Sequence, residues 1–199
     1  MRIPVVVLAV VLAVSAPAAV CGQAEPATSD PFANATEAQL DSLYGPLIYL
    51  MRDDERGQYG RLGVEGKREY LRRFWERRDP TPGTPRNEAL EDFQARLKAA
   101  NRAFREGGAA EIPGWRTDRG RVYLRNGPPD AVLSRPQPGS TNPYEVWKYS
   151  RRRARKFVFF DFTRFGNYAL IWTDDLLEVG RPNWRELLGR EAVDDVARF

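Results

Sequence analysis

The sequence predicts an α+β domain in which helices come first and a small antiparallel sheet follows. Apolar residues recur at helical spacing as far as Phe104, whereas from Ala131 the pattern changes to short β-branched and aromatic runs. Clusters of Pro, Gly and Asn then separate those runs at the intervals of a meander. Three N-terminal amphipathic helices, three to four strands and a closing C-terminal helix are expected in one domain over residues 36–199. A signal peptide (1–24) and a flexible leader (25–35) are expected to precede it.

Residues 1–24 have a basic start at Arg2, an apolar core from Val5 to Val14 and a small-residue region before Glu25, the pattern of a secretory signal. A bilayer-spanning helix needs about 20 apolar residues, so this core predicts export and no transmembrane span. Cleavage after Gly22 or Ala24 removes Cys21; the alternative is that Cys21 becomes a lipidated N-terminus. The leader from Gln23 to Ala35 is small, polar and Pro-containing.

The first helix is read from "TEAQLDSLYGPLIYLM". Thr36 and Gln39 form a capping-box pair, and Leu40, Leu43, Tyr44, Leu47, Ile48 and Met51 recur at helical spacing. Pro46 predicts a kink or break near Tyr44 and Gly45. Asp53–Gly63 is a polar, Gly-rich connector. The second helix follows in "VEGKREYLRRFWERRD", where Tyr70 with Phe74 and Leu71 with Trp75 are i,i+4 apolar pairs. "DPTPGTPRNE" stops it. Thr84 is then expected as N-cap with Pro85 at the first helical position, and Leu90, Phe93, Leu97, Ala100 and Phe104 define the third helix, ended by Gly107 and Gly108.

Four strand signals come later, in "AVLSR", "YEVWKYS", "KFVFFDFT" and "YALIWTD". Both faces of the second carry aromatics, which predicts a sheet with one face on helices and the other partly covered. Asn183 is a cap for a last helix bearing Trp184, Leu187, Leu188 and Val193.

Composition excludes several chemistries. The 199 residues contain no His and one Cys, and the net charge is +4. Without imidazole and with Cys21 removed, His/Cys metal centres and Ser/His or Cys/His catalysis have no residues to use, so no metal and no cofactor is expected. Catalysis would rest on carboxylates, Tyr, Lys or Ser.

Two dense stretches are the site candidates. In "GWRTDRGRVYLRNGPPDAV" Thr117 caps a short helix, Asp118 complements its positive end, and Asn126-Gly127 stops it before two prolines. A strand from Arg121 to Leu124 is the alternative. Gly114, Trp115, Thr117, Asp118, Arg119, Arg121 and Asp130 are either a junction, with Asp118 spent on Arg pairs or backbone amides, or the rim of an anion-binding pocket. Asp118, Asp130 and Glu88 are the carboxylates a glycoside-cleaving site would need. No Gly-rich phosphate-loop spacing occurs. The second stretch is the basic run Arg151, Arg152, Arg153, Arg155 and Lys156. From Asp118 to Lys156 the chain has ten basic residues against three acidic ones, flanked by Trp147, Tyr149, Phe157 and Phe159. Either it is a solvated hairpin loop or it binds an anionic envelope surface or acidic protein; export argues against nucleic acid.

"FWERRDPTPGTPRNE" (74–88), "GWRTDRGRVYLRNGPPD" (114–130) and "PYEVWKY" (143–149) resemble, in order, the signatures of the GWxTD domain family of exported bacterial proteins. Gly114, Trp115, Thr117 and Asp118 bear the family pattern. The resemblance implies a bacterial envelope protein and transfers no catalytic residue. "LRNGPPDAVL" followed by "YEVWKY" is also similar in layout to the BamE-type envelope lipoproteins, a likeness of fold alone. The expected function is a non-enzymatic binding or scaffolding module of the cell envelope; the alternative is a carboxylate-dependent hydrolase of an envelope polymer.

Overall fold

The computed structural model describes residues 30–107, 110–137, 139, 141–151 and 153–199. The expected signal peptide, Cys21, Gly108 and Arg152 lie outside the described residues. The fold is α+β with one four-stranded antiparallel sheet in the order β1-β2-β3-β4, formed by Ala131–Arg135, Tyr144–Tyr149, Arg155–Asp161 and Tyr168–Thr173.

Helix α1 (Glu37–Tyr44) begins at the expected capping box, with Gln39 N donating to Thr36 Oγ1 and Thr36 N donating to the Gln39 side chain. It stops where Pro46 predicted, and the chain tightens into a 3-10 turn over Gly45–Tyr49. The described end of the leader is not loose. Phe32 is 3% exposed in the helical core, and Asp30 accepts from Arg72 at 2.6 Å, so the packed unit starts before residue 36. The polar connector is also partly interior, since it carries buried Glu55 and Tyr59.

Helix α2 (Val64–Glu76) buries Leu71, Phe74 and Trp75, and its Lys67 reaches back to Glu37 and Asp41 on α1, each at 2.8 Å. Helix α3 (Glu88–Ala103) starts later than expected. Thr84 is not its cap, because its hydroxyl closes the preceding turn on Thr81 O and Arg86 O. Asn87 caps instead: its Oδ1 accepts from Leu90 N at 3.0 Å while its Nδ2 donates to Trp75 O at 2.8 Å, tying α3 to the end of α2. The helix also ends before the glycines. Its C-cap is Phe104, and Gly107 belongs to a turn closed by a bridge between Glu106 and Ile112. Aromatic side chains of α2, α3 and the connector, with Leu40, Leu47 and Leu124, form the first core.

Helix α4 (Asp118–Asn126) settles the choice between helix and strand. Thr117 Oγ1 accepts from Gly120 N, and Gly127 ends the helix at φ 79°. The sheet is then covered on both faces. Trp147, Tyr149, Phe157, Phe159 and Leu170 face Val122 of α4, while Tyr144, Val146, Val158, Phe160 and Ile171 face the C-terminal helices. That two-sided burial explains why Phe157 to Phe160 run without a polar break. The expected last helix is two: α5 (Trp184–Leu188) and α6 (Arg190–Arg198), separated by Gly189 at φ 82°. Asn183 precedes α5 but makes no side-chain cap. Among the described residues no helix is long and apolar enough to cross a membrane.

Candidate functional site

The residues from Gly114 to Arg121 form a joint between the helical core and the sheet. Gly114 lies against α3 so closely that a Cβ there would sit 2.0 Å from Ala100 O. A Cβ at Gly120 would sit 1.8 Å from Gly114 O. Glycine at both places is therefore a packing requirement. Trp115 N donates to Asn101 Oδ1 at 3.0 Å, and its half-buried ring lies against Gly45 and edge-on to Tyr49. Thr117 Oγ1 donates to Gly114 O at 2.8 Å and accepts from Gly120 N at 3.0 Å, so one hydroxyl closes the turn and caps α4.

Asp118 is divided between the same helix and the sheet. Its Oδ1 accepts from Arg121 at 2.8 Å, and its Oδ2 accepts from Leu170 N on β4 at 2.8 Å. Arg119 is buried, sits 4.0 Å over the Tyr168 ring, and pairs with Glu106 at 3.1 Å and Glu145 at 3.4 Å. Burial lifts the Glu106 carboxyl above its usual range, although Tyr168 N and Arg119 both pull it down. Arg121 and Arg125 close on Glu178, whose side chain is 3% exposed. Arg119 and Arg121 are thus spent on carboxylates, while exposed Arg116 lies 4.9 Å over the Trp115 ring.

The other two blocks are joints as well. Arg78 donates to both oxygens of buried Glu55, at 3.0 and 2.5 Å, and also to Phe74 O and Leu50 O. The Arg78 bonds, helped by Arg77 and by Arg52 N, hold the Glu55 carboxyl down to about 2 against the cost of its burial. Glu145 joins Arg119 to Trp147 Nε1, and Tyr149 OH donates to Gly127 O at 2.9 Å.

The three carboxylates considered for hydrolysis are held apart in purpose. Glu88 accepts from Thr81 at the start of α3, and Asp130 accepts from Ser150 N at 2.6 Å and pairs with Arg151 at 3.3 Å. With Asp118 bonded to Arg121 and Leu170, each carboxylate already has a partner. Among the described residues no group of three or more His, Cys, Asp or Glu side chains converges as a metal site would require.

The basic run is split by strand alternation. Arg155 turns toward the end of α4, donating to Asn126 Oδ1 and Asp175 Oδ2. Lys156 points to the opposite face and donates to Val196 O near the end of α6, at 2.9 Å. Arg151 is 89% exposed on the β2–β3 hairpin, and Arg153 has no ion-pair partner among the described residues. These hairpin arginines edge a cleft of about 670 Å³ that Arg96, Arg125 and Arg155 also line. Tyr149 forms part of its wall, its hydroxyl pKa pushed up by burial. Leu176 and Leu177 make the rim, 81% and 74% exposed. The sequence reading missed Arg96 and both leucines, and counted Arg125 only within the cation excess from Asp118 to Lys156. A Leu-Leu pair placed between the acids Asp174, Asp175 and Glu178 was the signal for the leucines.

Taken together, the chain is an α+β domain whose three ordered motifs are inter-element joints, with a cluster of arginines lining a cleft at one end of the sheet. The family model for the GWxTD domain matches residues 26–174, and the chain belongs to that family. The match starts upstream of residue 36, in agreement with buried Phe32, and it ends before α5 and α6. No curated protein and no solved structure matches the chain, so the likeness to BamE-type lipoproteins gains no support from them.

Proposed function

We propose that this chain is an exported, non-enzymatic binding module of the bacterial cell envelope that holds an anionic partner in the cleft at the hairpin end of its sheet. The observation that carries the reading is the concentration of Arg96, Arg125, Arg151, Arg153 and Arg155 around one cleft whose lining, among the described residues, holds only two acids, Asp130 and Asp175, paired with Arg151 and Arg155, so that the lining keeps a positive surplus. Guanidinium groups on a partly enclosed wall bind carboxylates or phosphates through paired hydrogen bonds and attract them from a distance. Binding is supported over hydrolysis because Asp118, Asp130 and Glu88 each hold the fold together by bonds already made. Export is supported by the character of residues 1–24, and recognition by the hairpin leaves the GWxTD residues their structural task.

The test is a pull-down from envelope extracts with the wild-type protein and the Arg151→Ala/Arg152→Ala/Arg153→Ala variant. The wild type is expected to retain an anionic component that raised salt releases, and the variant to lose it. Equal recovery of every component by both proteins overturns the proposal.

A further inference from the structure

We infer that the hairpin end of the sheet is a docking tip for an anionic phospholipid surface, with Leu176 and Leu177 entering the apolar zone while the hairpin arginines hold lipid phosphates. This rests on the binding reading above and names its partner. The two leucines and Val179 are 81%, 74% and 89% exposed, an unusual density of projecting apolar groups for a four-residue segment.

The segment is built to hold them out. Glu178, between the leucines and Val179, is drawn inward to Arg121 and Arg125 of α4. Asp175 fixes the other end: its Oδ1 accepts from Leu177 N at 3.0 Å and its Oδ2 from Arg155 at 2.9 Å. A loop whose polar residues are anchored to the body has its leucines pointing away from it. Leaving them in water forgoes the free energy that burying two leucine side chains would release.

The neighbouring charge selects the surface. By the antiparallel order, the β2–β3 hairpin and the segment after β4 lie at the same end of the sheet, so Arg151 and Arg153 stand beside the leucines. Projecting apolar side chains ringed by cations match a bilayer interface, where anionic headgroups overlie acyl chains and yield around an inserted group. Asp130, Asp175 and Glu178 each pair with an arginine of this end and Asp174 is exposed, so the attraction rests on the surplus that remains, Arg125, Arg151, Arg152, Arg153, Arg155 and Lys156 against those four acids. The β3–β4 turn supplies an internal comparison: its Phe165 is 88% exposed but lies at the opposite end of the sheet.

The experiment sediments the exported form of the protein with vesicles of equal parts phosphatidylglycerol and phosphatidylcholine, or of phosphatidylcholine alone. Binding is expected to the mixed vesicles only. Leu176→Ser/Leu177→Ser is expected to weaken it about tenfold and Arg151→Ala/Arg153→Ala about thirtyfold, while Phe165→Ser leaves it unchanged. All three variants alter exposed side chains, and unchanged thermal melts establish that they fold. In a second readout, an environment-sensitive fluorophore on Leu177→Cys, in a Cys21→Ser background, is expected to shift to the blue with the mixed vesicles. Undiminished sedimentation of the leucine variant, or an unmoved label, overturns the inference. If the mixed vesicles fail but an arginine-dependent acidic protein is retained from extracts, the lipid surface is wrong and the binding module stands. If both fail, both readings fall.

Discussion

Replacing Gly120 by alanine is expected to cost about 2 kcal/mol of stability, although alanine is the better helix former. The added methyl would lie 1.8 Å from Gly114 O and 2.7 Å from Gly114 C. A carbon normally stays about 3.3 Å from a carbonyl oxygen, so the two turns must part by about 1.5 Å. Neither is free to move. Thr117 Oγ1 joins Gly114 O to Gly120 N, Val122 and Leu124 are fully buried, and Gly114 itself touches the backbone of α3. Overpacking of this kind costs roughly 1–3 kcal/mol, and disturbing the Thr117 cap adds about 1, against a propensity gain of about 1. Urea unfolding of wild type and variant measures the difference. Gly60→Ala is the control, because nothing lies within 4 Å of a methyl there, and its midpoint is expected to stay within about 0.5 kcal/mol of wild type. A Gly120→Ala midpoint as close to wild type as the control would refute the joint.

Asp118→Ala is expected to cost about 2–3 kcal/mol, because it strands Leu170 N–H and removes the partner of Arg121, while Asp118→Asn, which keeps one acceptor, costs less. Neither change is expected to alter capture of the cleft's partner. An Asp118→Asn protein of wild-type stability that no longer captures it would assign the aspartate to binding instead. The Glu55 carboxyl, held down to about 2 from an ordinary 4.5, contributes stability that is complete above pH 4.5 and lost as pH falls toward 2. Glu55 is 5% exposed, so this amounts to about 3 kcal/mol, and Glu55→Gln is expected to remove most of that acid limb from a stability-against-pH curve.

Much of the architecture was legible because it is encoded by neighbours. The Thr36/Gln39 box, the break at Pro46, the Thr117 cap and the Gly127 stop depend on residues within one or two helical turns, and each stands where the pattern put it. The start of α3 was misplaced for the opposite reason. Asn87 prevails over Thr84 because it also reaches Trp75 O, a partner twelve positions away that no local pattern contains. The same holds for Gly189: a glycine inside a weak helical pattern is tolerable locally, but here it turns α6 to finish covering the sheet.

The site was half legible. Composition alone removed imidazole and disulfide chemistry and left arginine as the dominant polar reagent. Which arginines are spent was invisible, because Arg119 meets Glu106 and Glu145, and Arg121 meets Glu178, across gaps of 13 to 57 positions. The motif side chains therefore read as a candidate pocket until the contacts showed them closing a joint. By itself the sequence determined the succession of helices and strands, the excess of cations between Asp118 and Lys156, and the family signatures. Only the tertiary structure decided that Arg155 reaches Asp175 and Lys156 the end of α6, that Glu178 turns inward, and that Leu176 and Leu177 end up outside beside Arg151. Periodicity and capping act over a few residues, whereas ion pairing depends on which distant elements the packed core brings within about 4 Å.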